Sequence, residues 1–200
     1  MSVLVGRQAP DFTTKAVMPD GTIKNDFTLS SLRGKYVVLF FYPLDFTFVC
    51  PSEIIAHDNR RQKFEELGVQ LVGASIDSPN SHYAWRETPR DKGGIGKVGF
   101  PIISDVKHEI VKAYGIEHPT EGVAFRGSFL IDKSGVVQHQ VVNNLPLGRD
   151  VDEMLRMVEA LQYTEEHGEV CPAGWSKGKE GMKPTAEGVA SYLGKNATQL

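Results

Sequence analysis

The chain has 200 residues, 40% of them hydrophobic, which is enough for one domain with a substantial core. A net charge of −3, with no long basic run, gives no electrostatic case for nucleic acid. Met1 to Arg7 lack the charged leader of a signal peptide, and no apolar stretch is long enough to span a membrane, so a cytoplasmic protein without membrane contact is expected.

In chain order, Ala16 to Ile23, around Pro19-Asp20-Gly21, reads as an N-terminal hairpin. Tyr36 to Tyr42 is apolar throughout rather than alternating, as a strand covered on both faces should be. Ser52 to Leu67 has helical composition, with Gly68 placed to end it, and Val69 to Ile76 reads as a second strand. Strand, helix and strand make a βαβ unit with a parallel pair. Asp105 to Tyr114 reads as a helix with Asp105 as N-cap, Val106, Ile110 and Val111 on one face, and Gly115 at its end. Gly127 to Ile131 and Val136 to Val142 flank the turn Asp132-Lys133-Ser134-Gly135, an antiparallel pair. Val151, Met154, Leu155, Val158 and Leu161 then recur at helical spacing, the mark of a core-facing stripe.

This order predicts an α/β, thioredoxin-like fold: a central mixed sheet flanked by helices, with an N-terminal hairpin and a C-terminal tail. The division expected is a domain over 1–162 and a tail over 163–200, where Gly, Lys, Pro and Glu dominate from Gly174 to Pro184 before a short helix, Ala186 to Leu193.

Only two cysteines occur, Cys50 and Cys171. In a reducing compartment such a pair is not expected to be a static disulfide. Their separation, with six scattered histidines, matches no zinc-ligand spacing, so no metal is expected. No Gly-x-Gly-x-x-Gly follows a strand, so neither a flavin nor a nicotinamide cofactor is expected. His82 and His118 flank loops, and Trp85 and Trp175 read as packing or interface groups.

Cys50 is the informative one, because it stands at a strand-to-helix turn in Pro43-Leu44-Asp45-Phe46-Thr47-Phe48-Val49-Cys50-Pro51. There its sulfur faces the positive end of a helix dipole, which favours a sulfur anion. Thr47, one turn earlier, can bring a hydroxyl to the sulfur or to a bound oxygen; Pro43 ends the strand and sets the loop; Glu53 can orient an arginine. Each also has an ordinary explanation: Thr47 as a cap, Pro43 as a breaker, Glu53 as a first-turn acid, and the cysteine as a small buried hydrophobe.

Taken together, Pro43, Thr47 and Cys50 match the Pro-x-x-x-Thr-x-x-Cys signature of the peroxiredoxins. The longer string Phe40 to Pro51 resembles the typical two-cysteine subgroup, which includes the peroxidase subunit of bacterial alkyl hydroperoxide reductase. Gly122 to Gly127 is similar to the segment with that family's active-site arginine, here Arg126, and Asn144 to Arg149 to the one with its second arginine, here Arg149. His167 to Trp175 is similar to the resolving-cysteine segment, which holds Cys171, and the likeness extends from Ala9-Pro10-Asp11-Phe12 to the tail.

The resemblance implies a thiol-dependent peroxidase that reduces hydrogen peroxide and organic hydroperoxides. Cys50 becomes a sulfenic acid while Thr47 and Arg126 align the peroxide. Cys171 of another subunit then closes a disulfide, which makes a homodimer obligatory, and thioredoxin or a flavoprotein disulfide reductase reopens it. It also implies that five dimers can assemble as a decamer, and it admits a chaperone-like activity in over-oxidised assemblies. Gly93-Gly94-Ile95-Gly96 is a close variant of a family loop that marks sensitivity to over-oxidation, whereas Tyr192-Leu193 departs from the accompanying Tyr-Phe, so intermediate sensitivity is expected. A dithiol oxidoreductase is disfavoured because Glu53, not cysteine, stands three residues after Cys50. A binding module with inert cysteines stays open at this point. So do the identity of the reductant and the preferred peroxide.

Overall fold

The computed structural model describes residues 3–200, apart from the side chain of Gln199. It divides into two compact units, one running to Val151 and one from Asp152 to Leu200.

In the first unit, β1 (Thr13–Val17) and β2 (Ile23–Thr28) form the expected hairpin. Its turn is held by Asp20, which accepts from the Thr22 amide at 2.9 Å and the Thr22 hydroxyl at 2.7 Å. β3 (Tyr36–Phe41) follows, then α1 (Cys50–Asn59), α2 (Arg61–Glu66) and β4 (Val69–Ser75). After these come α3 (Pro79–Glu87), β5 (Ile102–Ser104), α4 (Glu109–Ala113), β6 (Arg126–Ile131) and β7 (Val137–Asn143). Among the described residues these strands form one mixed sheet in the order β2-β1-β5-β4-β3-β6-β7. β3, β4 and β5 run parallel, and the hairpins flank them antiparallel on either side.

Every residue of β3 is buried, and alternation explains why none is polar. Val37, Leu39 and Phe41 join Ile110, Val111 and Tyr114 in one core cluster. Phe40 points the other way and stacks on His57 of α1, ring centroids 4.0 Å apart. This makes β3, which feeds the loop that follows, an interior strand with side chains packed on both faces of the sheet.

Four elements differ from the sequence reading. The helix expected over 52–67 begins two residues earlier, at Cys50, and is broken at Arg60, whose amide turns back to His57 O at 3.2 Å in a tighter three-residue closure. The helix expected from Asp105 is only the short α4. Asp105 caps it from a distance, its carboxylate accepting the amides of Ile110 (3.1 Å) and Val111 (2.7 Å), while the intervening His108 adopts a left-handed φ of 58°. Val106 therefore lies outside the helix and is exposed rather than on its buried face. α3 and β5 had no counterpart in the sequence reading. Gly68, with φ +68°, closes α2 as expected.

The second unit holds α5 (Val151–His167), which starts at the last residue of the first unit, and α6 (Ala186–Asn196). Residues 162 and 163, between which the sequence suggests a division, both lie inside α5. Val170 and Met182 exchange backbone hydrogen bonds of 2.9 Å, so the Gly- and Lys-rich segment folds back on itself. Trp175 sits inside that loop, its indole nitrogen donating to Lys179 O at 3.1 Å and its ring 4.9 Å from Tyr163. No helix among the described residues is long and apolar enough to cross a membrane.

Candidate active site

β3 stops at Phe41, one more backbone bond follows from Tyr42 N to Ala74 O (2.9 Å), and Pro43, with no amide hydrogen, ends the pairing. The chain then turns through Leu44 to Val49 and enters α1 with Cys50 as its first residue and Pro51 beside it. No side chain caps this end of the helix, so its positive pole is left facing the Cys50 sulfur.

Cys50 is fully buried. Its Sγ lies 2.9 Å from the Thr47 hydroxyl and 3.4 Å from Arg126 Nη1. The Thr47 hydroxyl is also 2.8 Å from Leu44 O. A hydroxyl has one proton, so it donates to the sulfur when that is an anion, and can turn it to Leu44 O while accepting from a thiol.

Arg126 is the first residue of β6, and its position is set on two further sides. Nε donates to Leu145 O at 2.6 Å, and Nη1 donates to Glu53 Oε2 at 2.8 Å as well as facing the sulfur. Glu53, one turn along α1 from Cys50, also binds Arg149 through its backbone amide (2.9 Å), Nε (2.8 Å) and Nη2 (2.9 Å). Arg149 in turn donates from Nη1 to Gly127 O (2.8 Å) and Ser128 Oγ (3.0 Å) on β6. The three side chains are 2–5% exposed, so two buried cations share one buried carboxylate. Burial alone would raise the Glu53 carboxyl, but the hydrogen bonds and charge of Arg149, with that of Arg126, outweigh it and hold it below the ordinary range.

Thr47, Cys50, Glu53, Arg126 and Arg149 are thus joined by hydrogen bonds, and the buried Pro43 opens the loop that presents two of them. Arg149 reaches Glu53 rather than serving only as a charge ahead of α5. Cys171 belongs to the second unit, partly exposed, with Sγ 3.5 Å from Ala160 O and 3.7 Å from the Thr164 hydroxyl.

His57 was not singled out from the sequence. Its ring, stacked on Phe40, donates from Nδ1 to Glu53 O at 2.7 Å, and the Arg149 guanidinium lies 5.6 Å from the centre of the same Phe40 ring. Burial, then the charge of Arg149, pushes His57 down to about 3, so it is neutral near neutral pH. His82, placed beside a loop by the sequence, is fully buried in α3, while His118 does sit in a loop and accepts the Thr120 and Glu121 amides at 3.3 and 3.2 Å. Among the described residues, no group of three or more His, Cys, Asp and Glu side chains is arranged to hold a metal ion.

Residues 5–140 match the AhpC/TSA family, and residues 160–195 match the C-terminal domain of 1-Cys peroxiredoxin, although the latter segment here contains Cys171. The chain is 53% identical to alkyl hydroperoxide reductase C of Helicobacter pylori strain J99, over 99% of this chain and 100% of that protein. Among solved structures it resembles a reduced 2-Cys peroxiredoxin of Plasmodium vivax, with a TM-score of 0.93 and 49% identity over 96% of this chain and 100% of that one. It also resembles thioredoxin peroxidase I of Plasmodium yoelii, with a TM-score of 0.77 and 51% identity over 88% of this chain and 100% of that one. The chain belongs to the AhpC/TSA family, and within it to the typical two-cysteine peroxiredoxins. It is a thiol-dependent peroxidase acting on hydroperoxides.

Proposed function

We propose that Cys50 is the thiol that attacks the peroxide. The observation that carries this reading is the buried Sγ within reach of both the Thr47 hydroxyl and the Arg126 guanidinium. In the step proposed, the Cys50 thiolate attacks the terminal oxygen of a hydroperoxide. The S–O bond forms, the O–O bond breaks, and the leaving oxygen takes a proton to depart as water or an alcohol. Negative charge grows on that oxygen, where the Arg126 N–H groups and the Thr47 hydroxyl stabilise and align it. Glu53 and Arg149 act through Arg126 by fixing its guanidinium.

Cys171 of a second chain then displaces hydroxide from the Cys50 sulfenic acid, giving a disulfide and water. A disulfide needs Cα atoms within about 7 Å, and Cys50 is buried in the first turn of α1, so that turn must open first. The Gly93–Gly96 loop, pinned by Trp85 Nε1 to Gly93 O (2.8 Å) and Arg90 Nε to Ile95 O (3.1 Å), suits moderately slow opening and intermediate over-oxidation. A dithiol reductant, either thioredoxin or a flavoprotein disulfide reductase, completes the cycle in a reducing compartment such as the cytoplasm. The catalytic unit is a homodimer, five of which can form a decamer.

The test is a steady-state assay of wild type and Cys50→Ser with each reductant, using hydrogen peroxide and an organic hydroperoxide. Loss of peroxide consumption in Cys50→Ser, with turnover by one reductant in the wild type, is expected. Undiminished consumption in Cys50→Ser would remove the proposal.

A further inference from the structure

The Glu53–arginine system grips the helix side of Cys50, but the Thr47 hydroxyl comes from the loop ahead of it, and none of that system's hydrogen bonds reaches residues 44–48. Beyond its contacts with Leu44 O and the sulfur, the path of the loop must also define where that hydroxyl sits. The loop has a conformational weak point immediately before Thr47. Phe46 has a φ of 54°, the left-handed region that a bulky residue rarely adopts. Such a residue is strained and persists only when its surroundings over-determine it. A return to negative φ would redirect the chain one residue ahead of Thr47.

The side chain that over-determines it is Asp45. Its carboxylate is 1% exposed and accepts from the Tyr42 hydroxyl on Oδ1 at 2.8 Å, while Oδ2 lies 2.8 Å from His82 Nδ1. His82 is itself fully buried, and its Nε2 lies 3.2 Å from Ile103 O, so the Asp45 carboxylate is tied through α3 to β5. The Asp45 amide donates to Asp77 Oδ2 at 2.9 Å, and Ser75 Oγ donates to the same oxygen at 2.7 Å. The Phe46 ring packs on Trp85 of α3 at 5.6 Å. Asp77 feels the arrangement: burial, and next the charge of Asp45, push its carboxyl up. A buried carboxylate, Asp45, beside the half-buried Asp77 is a poor choice for stability alone, where well-packed apolar groups do as well or better. The pair does give the loop a unique path.

We propose that Asp45, held by His82, is a positioning residue that fixes the Thr47 hydroxyl against the Cys50 sulfur. The inference rests on the reading that Cys50 is the reacting thiol and that Thr47 aligns the peroxide. Asp45 touches neither sulfur nor substrate and acts through the path of the loop. A displacement of about 1 Å at a reacting group can slow a reaction about a hundredfold, so the effect is measurable.

The experiment is a double-mutant cycle, read as the second-order rate of Cys50 oxidation by hydrogen peroxide in rapid mixing. Asp45→Ala should slow that rate by about 10- to 100-fold. Asp45→Asn should restore it to within about threefold of wild type, because the amide oxygen can accept from Tyr42 and the amide nitrogen can meet His82 Nδ1 in the same place. In a Thr47→Val background, which has no hydroxyl to position, Asp45→Ala should cost less than about twofold further. Alkylation of Cys50 by iodoacetamide, which needs no alignment of an O–O bond, should change far less than the peroxide rate. Tyr42→Phe keeps the ring and removes one bond to Asp45, and so provides a reading in the same cycle if Asp45→Ala does not fold. An about three- to fivefold loss that is seen with Thr47 in place and absent in the Thr47→Val background supports the proposal.

Losses of equal size with Thr47 in place and in the Thr47→Val background, or an unchanged peroxide rate, would overturn it. Peroxide consumption surviving in Cys50→Ser would overturn the underlying reading and this inference with it. With Cys50→Ser silent, additive losses overturn the inference alone.

Discussion

Replacing Glu53 by glutamine tests how the site is held together. The carboxylate binds Arg126 through Nη1 and Arg149 through its amide, Nε and Nη2, all at 2.8–2.9 Å and almost without solvent. Gln keeps the shape but has one acceptor oxygen and no charge, which leaves two buried guanidinium groups without a counter-ion. Breaking a buried ion pair by removing one partner costs about 3–5 kcal/mol, and the remaining amide oxygen puts this variant near the lower end. With a urea slope of about 2 kcal/mol per molar, the unfolding midpoint should fall by about 1.5 M at neutral pH. The pH dependence follows from direction alone. The folded carboxyl lies below its ordinary value of 4.5, so its stabilisation is complete above that pH and is lost as pH falls through the folded value. The gap between wild type and Glu53→Gln should therefore be widest near neutrality and close in acid. Peroxide oxidation of Cys50 should slow about a hundredfold, because Arg126 keeps Leu145 O but loses the partner that aims Nη1 at the sulfur. A stability gap that is the same at all pH values, or an unchanged oxidation rate, would refute the reasoning.

Three further outcomes are expected. His57 is held near 3 in the folded chain against 6.5 ordinarily, so the unfolded chain takes the proton first. Its contribution should make stability fall below pH 6.5 by up to about 1.4 kcal/mol per unit, a slope that His57→Phe should flatten in urea titrations; an identical slope would contradict the burial argument. Thr47→Val removes the hydroxyl that lies 2.9 Å from the Cys50 sulfur; a hydrogen bond to the proposed thiolate nucleophile is worth about 1.5–3 kcal/mol, so rapid mixing should show an about 10- to 100-fold slower peroxide reaction. Cys171→Ser should oxidise once, keep a Cys50 sulfenic acid that dimedone traps, and form no disulfide-linked dimer; a linked dimer in that variant would remove Cys171 from its proposed role.

Much of this was legible because the decisive signals are local. The unbroken apolar run at Tyr36 to Tyr42 announces a strand covered on both faces, and Pro43, Thr47 and Cys50 lie in one strand-to-helix loop whose string resembles the peroxiredoxin signature, which is what implies its chemistry. What escaped depended on distant contacts or short elements. β5 is only three residues, Ile102–Ser104, beside Gly99 and Pro101, too short for periodicity to register. α3 is rich in polar residues and lacks a clear apolar stripe, though its start was written locally: Ser78 accepts the Ser81 amide at 3.2 Å ahead of Pro79. Asp105 is expected as the N-cap, but His108 holds that position, and nothing local says that Asp105 accepts amides five and six residues on, across a left-handed His108. Glu53 looked like an acid that could orient one arginine; that it serves both Arg126 and Arg149, from β6 and from the loop after β7, is a property of the sheet order. His57 and the Asp45–His82 pair carry no motif, because their partners are set by tertiary packing alone.

The most direct test of the central claim adds one equivalent of hydrogen peroxide to fully reduced protein, followed by non-reducing peptide mapping by mass spectrometry. A single cross-linked species joining the Cys50 and Cys171 peptides, recovered from disulfide-linked two-chain material, is the predicted result. Cys50 left as an unmodified thiol while peroxide is consumed, or a Cys50–Cys171 bond confined to single chains, would contradict it.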